Sequence, residues 1–332
     1  MRKVRLGVIG LGWFGEKHCE ALASIPNVEL HAVCTRRKSR LKEVAGRFGV
    51  AKAFTDYHEM LADPELEAVT VVTMWDQHAA PVLAGLKAGK HVFCEKPMAS
   101  TMADCRRIVA AARKAKTFFM VGHICRFNPR YAMAKEQIAT GAIGQIVYMY
   151  ARRNIPAWVT TDILPKIGPI IGDGVHDTDL MLWYSGAKVV SAYAQTVDVR
   201  KRGNPDLGVT VYRLDSGASA VLEDVWFLPD KTSFQIDERM EIIGTKGSVS
   251  IQDTHPNFTL CDAEGTRSVD TTYWPAIGGK LTGALPAELS YFAECVRNGE
   301  RPTVITPEES MAAVEACLAA EKSAATGKIV KL

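Results

Sequence analysis

Val4-Arg5-Leu6-Gly7-Val8-Ile9-Gly10-Leu11-Gly12-Trp13-Phe14-Gly15 opens the chain. A short apolar run passes straight into Gly-x-Gly-x-x-Gly, and a helical pattern follows to about residue 23. In that setting the first glycine permits a tight turn, the second lets backbone approach a pyrophosphate, and the third allows close packing of helix on strand. The helix N-terminus adds unbonded N–H groups and a positive dipole end. Three glycines alone could be an ordinary turn, but the strand before them, the helix after them and five further βα units supply the context of a dinucleotide cradle. Gly10, Gly12, Trp13, Phe14 and Gly15 are the first cofactor-binding candidates.

The rest of the N-terminal third repeats this alternation. Strands are predicted at Val4 to Ile9, Val28 to Cys34, Ala51 to Phe54, Ala68 to Thr73, His91 to Cys94 and Phe118 to Val121, with helical periodicity between them. The later strands are continuous apolar runs, as expected where helices cover both faces of a parallel sheet. From about Gly144 the texture changes to longer alternating stretches, Val189 to Val197, Val209 to Leu214, Ala218 to Val225 and Met240 to Ile243, which predict an antiparallel sheet. Thr306, Pro307 and Glu309 form a helix-start signature for a closing helix over 307–326. The expected fold is therefore an α/β doubly wound Rossmann domain over residues 1–122, followed by an α+β domain over 123–332. The second domain carries a large, mostly antiparallel, open-faced sheet for substrate binding and oligomerisation, and the closing helix can pack back towards the first. A broad interface with a cleft is expected between the two.

Composition narrows the function classes. With 332 residues, 47% of them hydrophobic and 23% charged, the chain has the make-up of a globular protein and not of a disordered one. Its net charge of +3, without any long Lys/Arg block, is no nucleic-acid footprint. The eight cysteines are scattered with neither a C-x-x-C pair nor zinc spacing, so they read as buried thiols in a reducing compartment, and no metal site is expected. The first apolar run is too short for a signal peptide, and no window approaches a membrane span, which predicts a cytoplasmic protein.

Cofactor choice turns on the end of the second strand, where a carboxylate would hold the adenosine ribose 2′-hydroxyl of NAD. The sequence reads Cys34-Thr35-Arg36-Arg37-Lys38 instead, a hydroxyl and three cations suited to a 2′-phosphate. NADP(H) is favoured over NAD(H), with Thr35, Arg36 and Arg37 as candidates. The alternative is that these cations merely begin the next helix, a placement its dipole slightly disfavours.

The run Gly89-Lys90-His91-Val92-Phe93-Cys94-Glu95-Lys96-Pro97-Met98-Ala99 puts a charged pair at the carboxyl edge of the sheet, where ligands bind. It resembles the Glu-Lys-Pro signature of the Gfo/Idh/MocA family of sugar and inositol oxidoreductases. The resemblance extends over essentially the whole chain: the glycines, Thr73 and His78 after the fourth strand, Val121-Gly122-His123 leading to Arg126-Phe127-Asn128-Pro129, and Gly174-Val175-His176-Asp177-Thr178-Asp179. The resemblance implies that Lys96 lies beside the nicotinamide and the reacting hydroxyl, lowering the alcohol's pKa, after a Lys96-Pro97 bond that is often cis in the family. It also implies that His176 is the catalytic histidine, with Asp179 one helical turn on to support it. Thr73, Trp75, His78 and Glu95 join the cofactor candidates; Trp75 either walls the nicotinamide or packs against a helix.

One departure concerns the acid that the family usually carries four residues before the histidine. That position is Gly172 here, and Asp173, three before, would share a helical face with His176. Substrate candidates are Lys96, Arg126, Asn128, Tyr131, Arg152, Arg153, Asn154, Trp158, Asp173 and His176, since polyol recognition wants bidentate donors and an aromatic floor. Arg152 and Arg153 point to opposite faces of a strand, so at most one serves. The expected activity is an NADP(H)-preferring dehydrogenase or reductase acting on a sugar, inositol or related cyclic polyol, in a homodimer or homotetramer formed through the C-terminal sheet. A catalytically silent dinucleotide-binding regulator, or a cofactor-retaining enzyme with a net non-redox reaction on glycosides, are the other readings.

Overall fold

A computed structural model of the chain describes residues 2–252 and 258–332. The N-terminal elements are β1 (Val4–Ile9), α1 (Trp13–Ser24), β2 (Val28–Cys34), α2 (Lys38–Phe48), β3 (Lys52–Phe54), α3 (Tyr57–Leu61), β4 (Ala68–Val71), α4 (Ala79–Lys87), β5 (His91–Glu95), α5 (Met102–Lys114) and β6 (Phe119–Gly122). There follow α6 (Pro129–Ala139), β7 (Ile146–Pro156), α7 (Ala157–Thr160), α8 (Pro169–Gly172), α9 (Gly174–Ser185), β8 (Val189–Val197), β9 (Leu207–Leu214), β10 (Ser219–Leu228), β11 (Asp237–Gly244), β12 (Ser248–Gln252), α10 (Ala284–Asn298) and α11 (Pro307–Thr326). They form two compact units, Met1–Phe127 with Thr272–Met311, and Asn128–Thr271 with Ala312–Leu332. Where the sequence suggested one boundary at 122, the chain passes between units after Phe127, Thr271 and Met311. An amphipathic helix such as α10 announces that it has an apolar face, but not which unit receives it.

In the first unit β1 to β6 form one parallel sheet in the order β3-β2-β1-β4-β5-β6. The strand order reverses between β1 and β4, which opens a crevice at their carboxyl ends. Burial on both faces is complete at Leu6, Val8, Val33, Val69, Val71 and Phe93, which accounts for the absence of alternation in these strands. Phe292 of α10 meets Phe93 edge-on with ring centroids 5.7 Å apart. The start of α11 is capped as its sequence predicted: Thr306 N–H donates to Glu309 Oε2 at 2.8 Å and Glu309 N–H to Thr306 Oγ1 at 3.2 Å.

The second unit is built on a sheet in the order β12-β11-β7-β10-β9-β8, with a terminal strand Val330–Lys331 at the β8 edge. Only β7 and β10 pair in parallel; the other neighbours are antiparallel. Burial alternates residue by residue along β9 and β10, so one face is core and the other is open, carrying exposed Val190, Tyr193, Val197, Val209 and Val211. Asn154 to Pro156 complete β7. Seven cysteines are buried thiols, and burial pushes Cys19, Cys34, Cys105 and Cys317 up to about 12. Cys261 departs from the expectation, being exposed on a surface hairpin. Among the described residues, no helix is long and apolar enough to cross a membrane.

Helix α9 is fastened to the sheet by a buried ion network. Arg153 of β7 donates Nε and Nη2 to the two oxygens of Asp177, at 2.8 and 3.1 Å, and Nη1 to Glu238 of β11. Burial pushes the Asp177 carboxyl up to about 6 although the guanidinium pulls it down. Replacing the cation while leaving two buried carboxyls should cost about 3–5 kcal/mol at neutral pH. Urea unfolding of Arg153→Met is expected to show that loss at pH 8 and a smaller one at pH 5. Without the guanidinium the folded chain binds a proton on buried Asp177 more readily than the unfolded chain does, so the variant regains stability as pH falls. An equal loss at both pH values would show that the carboxyls are not the reason for it.

Candidate functional site

Two groups of candidate residues stand out, one in each unit. In the first, β1 is followed by Gly10, whose φ of +100° and close approach to the Val72 carbonyl exclude a side chain: a Cβ there would lie 2.5 Å from the Val72 oxygen. A Cβ at Gly15 would collide with the Gly10 carbonyl, whereas one at Gly12 would meet nothing within 4 Å. Gly12 is the N-cap of α1 and offers no side chain to its first N–H groups, so backbone donors face open space where a pyrophosphate fits. The one acid in that first turn, Glu16, is paired with Arg40 and Arg47, which hold its carboxyl below its usual range against the opposing effect of burial. Trp13, 64% exposed, stacks on Phe14 at 5.7 Å and meets Trp274 edge-on at 5.8 Å, giving the loop an aromatic flank.

The cations after β2 separate. Arg37 Nη2 donates to the Leu11 carbonyl at 3.0 Å and Arg40 Nε to the same oxygen at 3.1 Å, bracing the glycine loop. Arg36 stays exposed and donates to Gln77 Oε1 at 2.9 Å, while Thr35 N–H is held by the Phe54 carbonyl at 3.1 Å.

Lys96 sits one residue past β5, before a cis peptide bond to Pro97. Two buried groups frame this turn. Glu95 places Oε1 3.0 Å from His18 Nε2 of α1 and accepts the Lys96 backbone N–H on Oε2 at 3.2 Å. Gly122 leaves room for it, since a Cβ there would lie 2.8 Å from Glu95 Oε1. His78 lies between the Pro97 carbonyl, 2.9 Å from Nδ1, and the Thr73 carbonyl, 3.0 Å from Nε2. Burial drives its pKa down, against the two carbonyls, which pull it up. Glu95 and His78, read from the sequence as cofactor ligands, thus have side chains engaged in holding the Lys96 turn. Thr73 keeps a buried Oγ1 without a hydrogen-bond partner among the described residues. Trp75 is half-buried in a single 3-10 turn, Trp75–Gln77. Arg126 is buried and donates to the Val304 carbonyl at 2.7 Å, with Glu309 3.4 Å away.

In the second unit His176, Asp177, Thr178 and Asp179 are all buried on α9. The continuous helix expected through Asp173 is interrupted: Asp173 has φ −122° and ψ −33° at the junction of α8 and α9, and accepts the His176 N–H on its carbonyl at 2.9 Å. The two residues are thus linked by an i, i+3 backbone bond at the start of α9 and not by a continuous helical face. Its carboxylate accepts the Trp226 indole N–H at 3.0 Å. Arg152 pairs with Asp237 at 2.8 Å, Asn154 donates to Glu223 at 2.7 Å, and Trp158 is half-exposed on α7. Asn128 caps α6 by accepting the Arg130 N–H at 3.0 Å, and Tyr131 is fully buried. Trp226, Asp224 and Trp274 escaped the sequence reading. An Asp and a Trp at the inward positions of an alternating strand were a legible signal; Trp274, in an irregular segment, left none.

One further cluster, His31, Asp63 and Glu65, gathers metal-ligating atoms. Lys52 Nζ donates to Asp63 at 2.9 Å and to Glu65 at 2.7 Å, so its ammonium already balances that charge.

Comparison with known proteins matches this arrangement. Residues 4–123 fit the profile described as "Oxidoreductase family, NAD-binding Rossmann fold", and residues 131–250 the "GFO/IDH/MocA C-terminal domain". The chain is 32% identical to the myo-inositol 2-dehydrogenase of Thermotoga maritima, covering 99% of this chain and 98% of the relative. It is 31% identical to the scyllo-inositol 2-dehydrogenase (NAD(+)) of Bacillus subtilis, over 99% and 96%. A solved structure of a probable dehydrogenase from Thermotoga maritima superposes with a TM-score of 0.82 at 29% identity, covering 99% of this chain and 98% of that one. Scyllo-inositol dehydrogenase from Lactobacillus casei, solved with NAD(H) and scyllo-inositol, shares the fold at a TM-score of 0.86 and 23% identity, with 99% of each chain covered. On the glycine cradle, the Glu-Lys-Pro turn and these matches, the chain belongs to the Gfo/Idh/MocA family of NAD(P)-dependent oxidoreductases.

Proposed function

We propose that this protein oxidises a secondary hydroxyl of an inositol or a related cyclic polyol, or reduces the corresponding ketone. The observation that carries the reading is the Lys96 turn, framed by Glu95 with His18 on one side and His78 on the other at the carboxyl edge of β5. A buried scaffold of that kind makes sense where one ammonium must keep its direction. The inositol dehydrogenases among the relatives support the substrate class.

A nicotinamide dinucleotide with its pyrophosphate at the glycine cradle would supply the hydride acceptor. The chain's own residues handle the proton. An alcohol is a very weak acid, so carbon–hydrogen cleavage is slow unless the hydroxyl proton leaves at nearly the same time. We assign that proton to His176, with Lys96 stabilising the oxygen as it becomes negative, more strongly in the transition state than in the ground state. Asp173 and Asp179 are the acids assigned to support His176. Arg126, Asn128, Arg152 and Trp158 are assigned to substrate binding, and Thr73 and Trp75 to the cofactor.

A panel of inositols and sugars with NAD and NADP, followed at 340 nm, tests the activity. With the best substrate, Lys96→Met and His176→Ala are each expected to lower kcat by about 10² to 10⁴ with a smaller change in KM. The double variant should lose less than the product of the two, because both act on one proton. Full activity in Lys96→Met discards the mechanism.

We further propose that NADP(H) is preferred over NAD(H). Exposed Arg36, beside Thr35, supports this, as does the absence of an acid at the end of β2. Fluorescence titration should give NADPH about tenfold to a hundredfold tighter than NADH, and Arg36→Ala should remove most of that difference. Equal affinities in the wild type overturn the preference.

The open face of the second unit's sheet, with Val190, Tyr193, Val209 and Val211 exposed, supports assembly as a homodimer or homotetramer. Sedimentation velocity is expected to return one of these two states, and a lone monomer at micromolar concentration contradicts it.

A further inference from the structure

Strand β10 presses Ala220, Leu222, Asp224 and Trp226 into the core of the second unit. The last two reach the helical segment that carries the catalytic candidates, and they do so at its two glycines. A Cβ at Gly172 would lie 2.5 Å from Trp226 Cη2 and 2.8 Å from Cζ2. One at Gly174 would lie 2.7 Å from Asp224 Oδ2. The side chains missing on either side of Asp173 are thus replaced, in volume, by two side chains from the strand. Trp226 is 2% exposed and its backbone is anchored on both sides: its N–H donates to the Asp206 carbonyl at 2.8 Å and its carbonyl accepts Thr160 Oγ1 at 3.0 Å. The ring has no ready retreat from Gly172. Its Nε1–H then donates to Asp173 Oδ2 at 3.0 Å, a bond to an ionisable group that is stronger than one between neutral partners.

We propose that Trp226 is a positioning residue: its ring takes the place of a side chain at 172, and its indole N–H holds the Asp173 carboxylate so that Asp173 supports His176 in place of an acid at 172. The inference rests on the reading of His176 as proton acceptor and Asp173 as its supporting acid. It explains why an acid cannot simply be present at 172, since the space is filled. It also explains how a residue at a helix break keeps a defined orientation, because a buried indole N–H needs an acceptor and Asp173 is the one it has found.

The test uses the full chain and whichever polyol of the panel the wild type oxidises fastest, comparing wild type, Trp226→Phe, Asp173→Asn and the double variant. Phe keeps most of the ring and loses the N–H. Trp226→Phe is expected to lower kcat about tenfold to a hundredfold, the usual effect of losing a hydrogen bond to a charged group, with KM and the cofactor dissociation constant changed less than about twofold. In the Asp173→Asn background the same substitution should do almost nothing further. A second readout needs no turnover: of the six indole N–H resonances in a ¹⁵N-labelled sample, one should move on Asp173→Asn, and it should be the one missing from Trp226→Phe. If Trp226→Phe does not fold, the shift of one indole resonance in Asp173→Asn carries the test. An impaired Asp173→Asn beside a Trp226→Phe of wild-type kcat, losses that multiply, or no shifted indole overturns the role of Trp226 alone. Wild-type activity in Asp173→Asn instead overturns the reading of Asp173, and the inference with it.

Discussion

Backbone packed against backbone at the end of β1 is the constraint from which the dinucleotide unit is built. The carbonyl of Val72 and the carbonyl of Gly10 occupy space that side chains at Gly10 and Gly15 would need. Only with those side chains absent can α1 begin so close to the sheet, with its first N–H groups turned to open space beside Gly12. What surrounds the loop follows from this. Arg37 and Arg40 brace the Leu11 carbonyl, and Arg40 with Arg47 balances Glu16, the acid that would otherwise face an incoming phosphate.

The second unit works under a different constraint. Its helix α9 carries two buried acids, Asp177 and Asp179, and in the interior a carboxylate is tolerated only when paired or protonated. Arg153 meets Asp177 and Glu238 together. Asp224 takes the other course: burial, with Asp177 and Asp173 nearby, pushes its carboxyl well above the usual range, and neither oxygen has a hydrogen-bond partner among the described residues. The unit therefore keeps a chain of ionisable groups behind α9, while its outer sheet face mixes exposed Val190, Tyr193, Val209 and Val211 with ion pairs such as Arg152–Asp237.

Much of this was legible in the residues. The later parallel strands β4, β5 and β6 declared themselves because burial on both faces leaves continuous apolar runs, and the capped start of α11 because Thr306 and Glu309 have a local, reciprocal job. Lys96 could be placed at the sheet edge from its position after β5 alone. The functions of Glu95 and His78 could not be separated in this way. Both belong to a ligand-binding signature, yet their partners His18, Pro97 and Thr73 lie 77, 19 and 5 residues away, and only folding sets which of those they meet.

Sequence alone determined the elements and most of their order, because the period of apolar residues, the glycine spacing and the capping residues act within a few positions along the chain. It could also show that an acid was missing at 172. Tertiary structure decided what takes over: the break at Asp173, the ring of Trp226 above Gly172 and the carboxyl of Asp224 against Gly174. It likewise decided that the segment 272–311 returns to the first unit. The physical reason is the same in each case. Side-chain volume and buried charge are matched between segments some fifty residues or more apart, and no local pattern of sequence encodes which distant side chain will fill the space that a glycine leaves.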